Sequence, residues 1–250
     1  MGRGVLWEQR MFWRNPGAAA FTFAFPLLFL VVFTAVYGNS TVRVRGGTVR
    51  FAQYYVPSIV CFGIISACYT NLAFLVCIRR QNGVLKRVRG TPLSPADYLA
   101  GVMGNVMAVT LIVSALTIVM GVTMYGVSFP GRYASLLVTA AVGAFCFSSL
   151  GVAVSTFVPN EDAAPAIINF LIFPLLFISG MFGPVADSSA LAKVASLFPV
   201  RPMIKQMVAV FDPFTSGPAL STAHLGVMLL WGLAGVLLAV RRFRWEPSSS

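Results

Sequence analysis

Six long apolar runs occupy most of this chain, and none carries an Asp, Glu, Lys or Arg in its interior. They are Gly17–Tyr37, Tyr54–Ile78, Tyr98–Tyr125, Tyr133–Phe157, Ala164–Met181 and Leu220–Val240. A helix needs about 20 apolar residues to cross a hydrocarbon core of about 30 Å, and the runs are on that scale or longer. The expected fold is all-α: a polytopic membrane protein with six transmembrane helices, forming one domain over residues 1–246 with a disordered tail at 247–250. Ionisable side chains at membrane depth mark ion paths and proton relays. With none in the runs, a machine driven by a proton or sodium gradient lacks its obvious parts, and any energy comes from elsewhere.

Composition agrees. The chain is 58% hydrophobic and 10% charged, against about a quarter charged for soluble domains, and its mean hydropathy is +0.83. The runs are apolar all round rather than on one stripe, which excludes a water-soluble bundle. The net charge of +11 sits in short loops and ends, where lipid phosphate and topology account for it. No basic face with interleaved stacking aromatics lies outside the runs, so nucleic acid is not an expected partner.

The basic residues also predict orientation. Arg3, Arg10, Arg14, Arg79, Arg80, Lys86, Arg87, Arg89, Arg241, Arg242 and Arg244 fall on one side of a six-span topology, eleven of the 18. The excess places both ends in the cytoplasm. No small-residue cleavage site follows the first run, which therefore reads as a span rather than a secretory leader. Residues 38–53 read as an outer loop with a hairpin: Val42 to Arg45 alternate and Gly46-Gly47 offers a turn.

Chemistry-bearing clusters are scarce. Cys61, Cys68, Cys77 and Cys146 read as buried apolar fillers, and the lone His224 as structural. There is no nucleophile elbow or Ser/His/Asp set, so an enzyme is not expected.

Four stretches outside the regular runs are informative. Before the first run, Leu6, Trp7, Met11 and Trp13 alternate with Arg10 and Arg14. This suits an interfacial helix with its tryptophans at the interface and its arginines on lipid phosphate; an ordinary charged flank fits equally. Between runs two and three, Val84, Leu85 and Val88 form an apolar face among Lys86, Arg87 and Arg89. Pro95 behind Ser94 then starts the next helix. This basic knob suits docking of a soluble partner, or reflects positive-inside charge alone. Glu161 and Asp162 precede the fifth run, where carboxylates suit a helix N-terminus. Between runs five and six, Ala190–Phe198 reads as an amphipathic helix too polar to span, followed by Pro199, Pro202, Pro213 and Pro218. A re-entrant or interfacial outer helix pair fits. Within the runs the amides are Asn71, Asn105 and Asn169, candidates for a path lining or for interhelical glue. Ala140, Ala144 and Ser148 recur every fourth position and allow close packing.

Together these stretches resemble the ABC type-2 transporter permease family, which includes daunorubicin-resistance-type and polysaccharide-export membrane subunits. The loop Gly83-Val84-Leu85-Lys86-Arg87-Val88-Arg89-Gly90-Thr91-Pro92-Leu93-Ser94 carries the likeness most specifically. Tyr55-Val56-Pro57-Ser58-Ile59, Phe177-Ile178-Ser179-Gly180-Met181-Phe182 and Phe198-Pro199-Val200-Arg201-Pro202 support it in order. Ser58 departs from a common glycine. The resemblance implies two permeases, as homodimer or heterodimer, assembled with two ATP-binding subunits that hold ATP and Mg. Residues Gly83, Val84, Leu85, Lys86, Arg87, Val88 and Arg89 would form the coupling helix. The helix bearing Trp7, Arg10, Trp13 and Arg14 would brace the ATPase. The chain has no phosphate loop of its own, and its three lysines, Lys86, Lys193 and Lys205, lie outside such a context. The expected function is the membrane subunit of a bacterial inner-membrane exporter for amphipathic or apolar cargo. A membrane scaffold that docks a cytoplasmic protein through residues 79–97 is the alternative.

Overall fold

A computed structural model describes residues 2–14, 16–37, 40–44, 47–84, 95–128, 131–183, 185–215 and 217–242. Helix α1 is Gly2–Trp13 and α2 is Pro16–Tyr37. Strands β1 (Thr41–Val44) and β2 (Gly47–Arg50) pair antiparallel with Val44 opposite Gly47. The expected hairpin is therefore present, closed by two residues. Helix α3 (Phe51–Ile65) passes through a π-helical segment, Ser66–Asn71, into α4 (Leu72–Gln81). The later helices are α5 (Pro95–Tyr125), α6 (Tyr133–Ser155), α7 (Ala164–Ile178), α8 (Ala190–Ser196), α9 (Val200–Phe211) and α10 (Thr222–Arg242).

The Phe51–Gln81 rod is the centre of the bundle. Most of its apolar window is buried (72%), whereas α10 buries 17% of its own. Its 31 residues reach about 46 Å at the α-helical rise, from the hairpin at one end to Arg79 and Arg80 at the other. On its α2 side, Phe25, Phe29 and Phe33 repeat every fourth residue and meet Phe62 and Tyr55. The Phe33 and Tyr55 rings stack at 5.2 Å and the Phe29 and Phe62 centroids lie 5.6 Å apart. Such pairs add to area burial because offset and tilted rings align quadrupoles.

Small residues set the other contacts. A Cβ on Gly151 of α6 would meet Tyr69 O at 2.8 Å and Cys68 O at 3.0 Å, so α6 touches the backbone of the π-helical segment. Gly235 of α10 lies equally close to Ser149 of α6. Ala144 and Ser148 are buried, and Ala140 packs on the core, as the four-residue spacing predicts. Without a hydrophobic drive between helices in lipid, close packing of this kind supplies association energy.

Several expectations change. The second helix starts at Phe51, three residues before Tyr54, because β2 hands directly into it. The third starts at Pro95 rather than Tyr98, and the sixth is Thr222–Arg242 rather than 220–240. The fourth stops at Ser155, short of Phe157. The fifth stops at Ile178, short of Met181, because Gly180 takes φ +90° and turns the chain out of the helix. Four described helices are long and apolar enough to cross a membrane: Phe51–Gln81, Gly101–Tyr125, Tyr133–Ser155 and Thr222–Arg242. The Thr22–Tyr37 part of α2, and α7 (Ala164–Ile178), are shorter apolar stretches. Helices α8 and α9 meet at 93°, a bent pair that brings the number to five if it counts as one broken span. Among the described residues, length and apolarity by themselves pick out four spans, or five with the bent pair.

Candidate functional site

At one end of the rod, three elements are pinned together by two adjacent arginines. Arg79 donates to both carboxylate oxygens of Glu8 on α1, at 2.8 and 2.6 Å. Arg80, buried, turns the opposite way and donates to the carbonyls of Ser155 (3.0 Å) and Val158 at the C-terminus of α6. Carbonyls at a helix end lack intrahelical partners and carry partial negative charge, so a guanidinium satisfies them in hydrogen bonding and in charge. Helix α4 then ends at Gln81 with Asn82 as its C-cap, and Gly83 at φ +66° redirects the chain. The basic loop therefore leaves from a platform in which α1, α4 and α6 are tied. Of its expected coupling residues, Gly83 and Val84 are seen; Leu85, Lys86, Arg87, Val88 and Arg89 lie outside the described residues.

Helix α1 packs mainly on α5. Phe12 and Phe23 flank Ala67, Val109 and Val113, and Trp13 stacks on Phe23 at 5.5 Å. Gln9 donates to Asn105 O at 3.4 Å and accepts from the Trp13 indole at 3.0 Å. Leu6, Trp7, Met11 and Trp13 stay more than half exposed, and Arg10 lies over the Trp7 ring at 5.8 Å. Arg14 is exposed too.

The three amides lie on separate elements. Asn71 ends the π-helical segment, is exposed, and donates to Thr22 Oγ1 at 3.3 Å. Asn105 on α5 is buried. Asn169 on α7 is half-buried, next to Ile168, whose carbonyl accepts from Tyr69 at 3.2 Å. The acidic pair before α7 does not cap it by hydrogen bonding. Glu161 and Asp162 are exposed, and Asn160 Oδ1 takes the Ala163 N–H at 2.8 Å. Asn160 stands three residues before that donor, at the first position of the turn, which places its side-chain oxygen within reach.

At the other end, the segment between α7 and α10 forms a polar-rimmed cavity of about 800 Å³. Helix α9 is the element that sequence reasoning underestimated. Nine of its twelve residues are buried, Arg201 among them. Arg201 donates to Ser179 O (3.4 Å), Val185 O (3.2 Å) and Asp187 Oδ1 (2.7 Å), and Lys205 Nζ reaches the same oxygen at 2.5 Å. Asp187's carboxyl is held below the ordinary carboxylate range, chiefly by the Lys205 hydrogen bond. Nearby, Arg132 ties the loop before α10 by donating to the carbonyls of Gly217, Val210, Asp212 and Thr215. Glu8 was not singled out in the sequence, and Arg80 and Arg201 entered only through the charge count and the motif before the sixth run, not as buried anchors. The available signals were a lone acid within a basic N-terminal segment, and an arginine held between Pro199 and Pro202. Among the described residues no His, Cys, Asp and Glu gather as a metal site.

No curated protein matches the chain. The family model for ABC-2 type transporters matches residues 5–211, most of the chain and every element from α1 to α9. Apolar helices long enough to cross a bilayer, and a basic loop launched from a pinned platform between the second and third of the apolar runs, agree with that match. The chain belongs to the ABC-2 type transporter membrane family and is a multi-pass permease subunit of an ABC transporter.

Proposed function

We propose that this permease works as an exporter of amphipathic or apolar cargo, with six spans, in a bacterial inner membrane. The observation that carries the reading is the family match together with the loop Gly83–Arg89, which leaves the Arg79–Arg80 platform at Gly83. Two copies of an ABC ATP-binding subunit dock there and bind the ATP and Mg²⁺ that this chain does not. Leu85 supplies an apolar contact, and Lys86, Arg87 and Arg89 supply charged ones. Both termini face the cytoplasm, so α1 lies in the inner headgroup layer. Its exposed Leu6, Trp7, Met11 and Trp13 enter lipid, while Arg10 and Arg14 meet phosphate. Two permeases enclose the path, lined by apolar, hydroxyl and amide side chains including Asn71, Asn105 and Asn169. The absence of charge from the long apolar runs favours apolar cargo over small ions.

The test is co-expression with the cognate ATP-binding subunit, reconstitution, and measurement of ATP hydrolysis with and without candidate amphiphiles. Stable association with cargo-stimulated hydrolysis is the expected result. Association with a different cytoplasmic protein, and no stimulated hydrolysis, would replace the exporter with a docking scaffold.

A further inference from the structure

The cavity at the hairpin end has a chemical character that the apolar spans lack. Its wall combines Ile204, Val208 and Leu220 with three cations, Arg43, Arg201 and Lys205, and two carboxylates, Asp187 and Asp212. Its volume, about 800 Å³, falls within the range of small-molecule sites. The two carboxylates differ in kind. Asp212 is buried and committed to its own loop, accepting from Phe214 N at 3.0 Å and Thr215 Oγ1 at 2.9 Å. Asp187 is 62% exposed, on the segment between α7 and α8, yet one of its oxygens holds both Arg201 and Lys205.

That asymmetry is informative. A guanidinium as buried as Arg201, 2% exposed, requires a counter-charge, since an uncompensated buried cation costs several kcal/mol. The protein meets the requirement with a solvent-exposed loop residue, a counter-charge open to competition from solution. Arg201 and Lys205 stand one turn apart on α9 and converge on a single oxygen, which is how a cation pair grips a phosphate or carboxylate. Arg43, exposed on β1 at the same cavity, makes no ion pair among the described residues. Once Asp187 is set against one of the pair, the wall retains a positive surplus beside an apolar surface.

We propose that this cavity binds an amphiphile with an anionic phosphate headgroup, and that the Asp187 carboxylate occupies the headgroup position until the ligand displaces it. The headgroup oxygens take the place of Asp187 on Arg201 and Lys205, Arg43 closes over them, and the acyl portion lies along Ile204, Val208 and Leu220. As a statement about cargo this deepens, and rests on, the exporter reading. As a statement about a binding site it rests on these residues alone.

The sign of one substitution separates the proposal from a merely structural ion pair. If Asp187 competes with the ligand, Asp187→Asn tightens binding, whereas a structural role predicts weaker or unchanged binding. The full chain, purified without any ATPase in an uncharged maltoside detergent, is titrated with dioctanoyl phosphatidylglycerol or zwitterionic dioctanoyl phosphatidylcholine. Adducts are counted by native mass spectrometry. The phosphatidylglycerol adduct is expected at least about fivefold above phosphatidylcholine, rising at least about threefold in Asp187→Asn. Lys205→Gln and Arg43→Gln should each lower it by about fivefold, while Lys205→Arg, which keeps the charge, retains it. Equal adducts for the two lipids, no gain in Asp187→Asn, or loss in Lys205→Arg equal to that in Lys205→Gln would overturn the site. Inorganic phosphate displacing the lipid as well as excess phosphatidylglycerol does would overturn the amphiphile assignment in favour of a free anion. Because no ATPase is present, these outcomes are read independently of whether the chain exports anything.

Discussion

Glu8 and Arg79 meet in a two-pronged ion pair, 2.6 and 2.8 Å, with side chains only 9% and 12% exposed. The pair joins the first helix to the last turn of the central rod across 71 residues of sequence. Fork-to-fork geometry fixes orientation as well as distance, so the pair ties α1 to α4 in both.

Removing one partner leaves the other charge buried and unmatched. Glu8→Gln is expected to lower stability by about 3 kcal/mol, read as a fall in the melting temperature of the purified protein. The exchange Glu8→Arg with Arg79→Glu should recover a large part of the loss. Equal damage from the double exchange and the single change would mean that packing around Glu8, not the pair, is what matters.

In the coupling loop, Leu85→Asp combined with Arg87→Glu should abolish association with the ATP-binding subunit while membrane insertion persists. Pull-down and membrane fractionation read the two effects separately. Normal association and transport by the double variant would remove this loop as the coupling element.

Orientation is checked with single cysteines in a background lacking Cys61, Cys68, Cys77 and Cys146. Gln81→Cys and Ser250→Cys should be shielded from an impermeant thiol reagent in intact cells, and Gly46→Cys and Ser188→Cys should react. Labelling of Gln81→Cys would invert the topology.

Asn169 is half-buried on α7, and an amide facing lipid costs roughly 1–2 kcal/mol unless paired. Asn169→Leu is similar in size and compatible with lipid. A path residue predicts normal assembly with altered cargo-stimulated hydrolysis; glue between helices predicts a lower melting temperature with the cargo response intact.

Asp187 gives a pH dependence of defined sign. Its folded pKa is lowered from 3.8, chiefly by the Lys205 hydrogen bond. Its contribution is therefore fully present above the unfolded value and is lost as pH falls through the folded one. Between about pH 5 and pH 3 the melting temperature should fall further in the native chain than in Asp187→Asn. The carboxylate is 62% exposed, so solvent screening keeps the difference small. Parallel curves for the two proteins would count against the ion pair.

Membrane character, helical fold and family were legible in the chain alone. Hydrophobicity over some 20 residues is a local property, and the motif from Gly83 to Ser94 is contiguous. The hairpin at Thr41–Arg50 was legible for the same reason, since alternation and a glycine turn are neighbours in sequence. Helix ends were less so. Ile178 rather than Met181 closes α7 because Gly180 turns where Tyr54 donates to its carbonyl at 2.5 Å, a contact spanning 126 residues. The burial of Arg80 and Arg201 was not legible at all. In the sequence both are basic residues in or beside loops. Only the fold brings the α6 carbonyls to Arg80 and Asp187 to Arg201, and only such partners make a buried guanidinium tolerable. Apolar periodicity therefore determined which segments leave water, while the placement of charge between them was decided by tertiary contacts that no local pattern encodes.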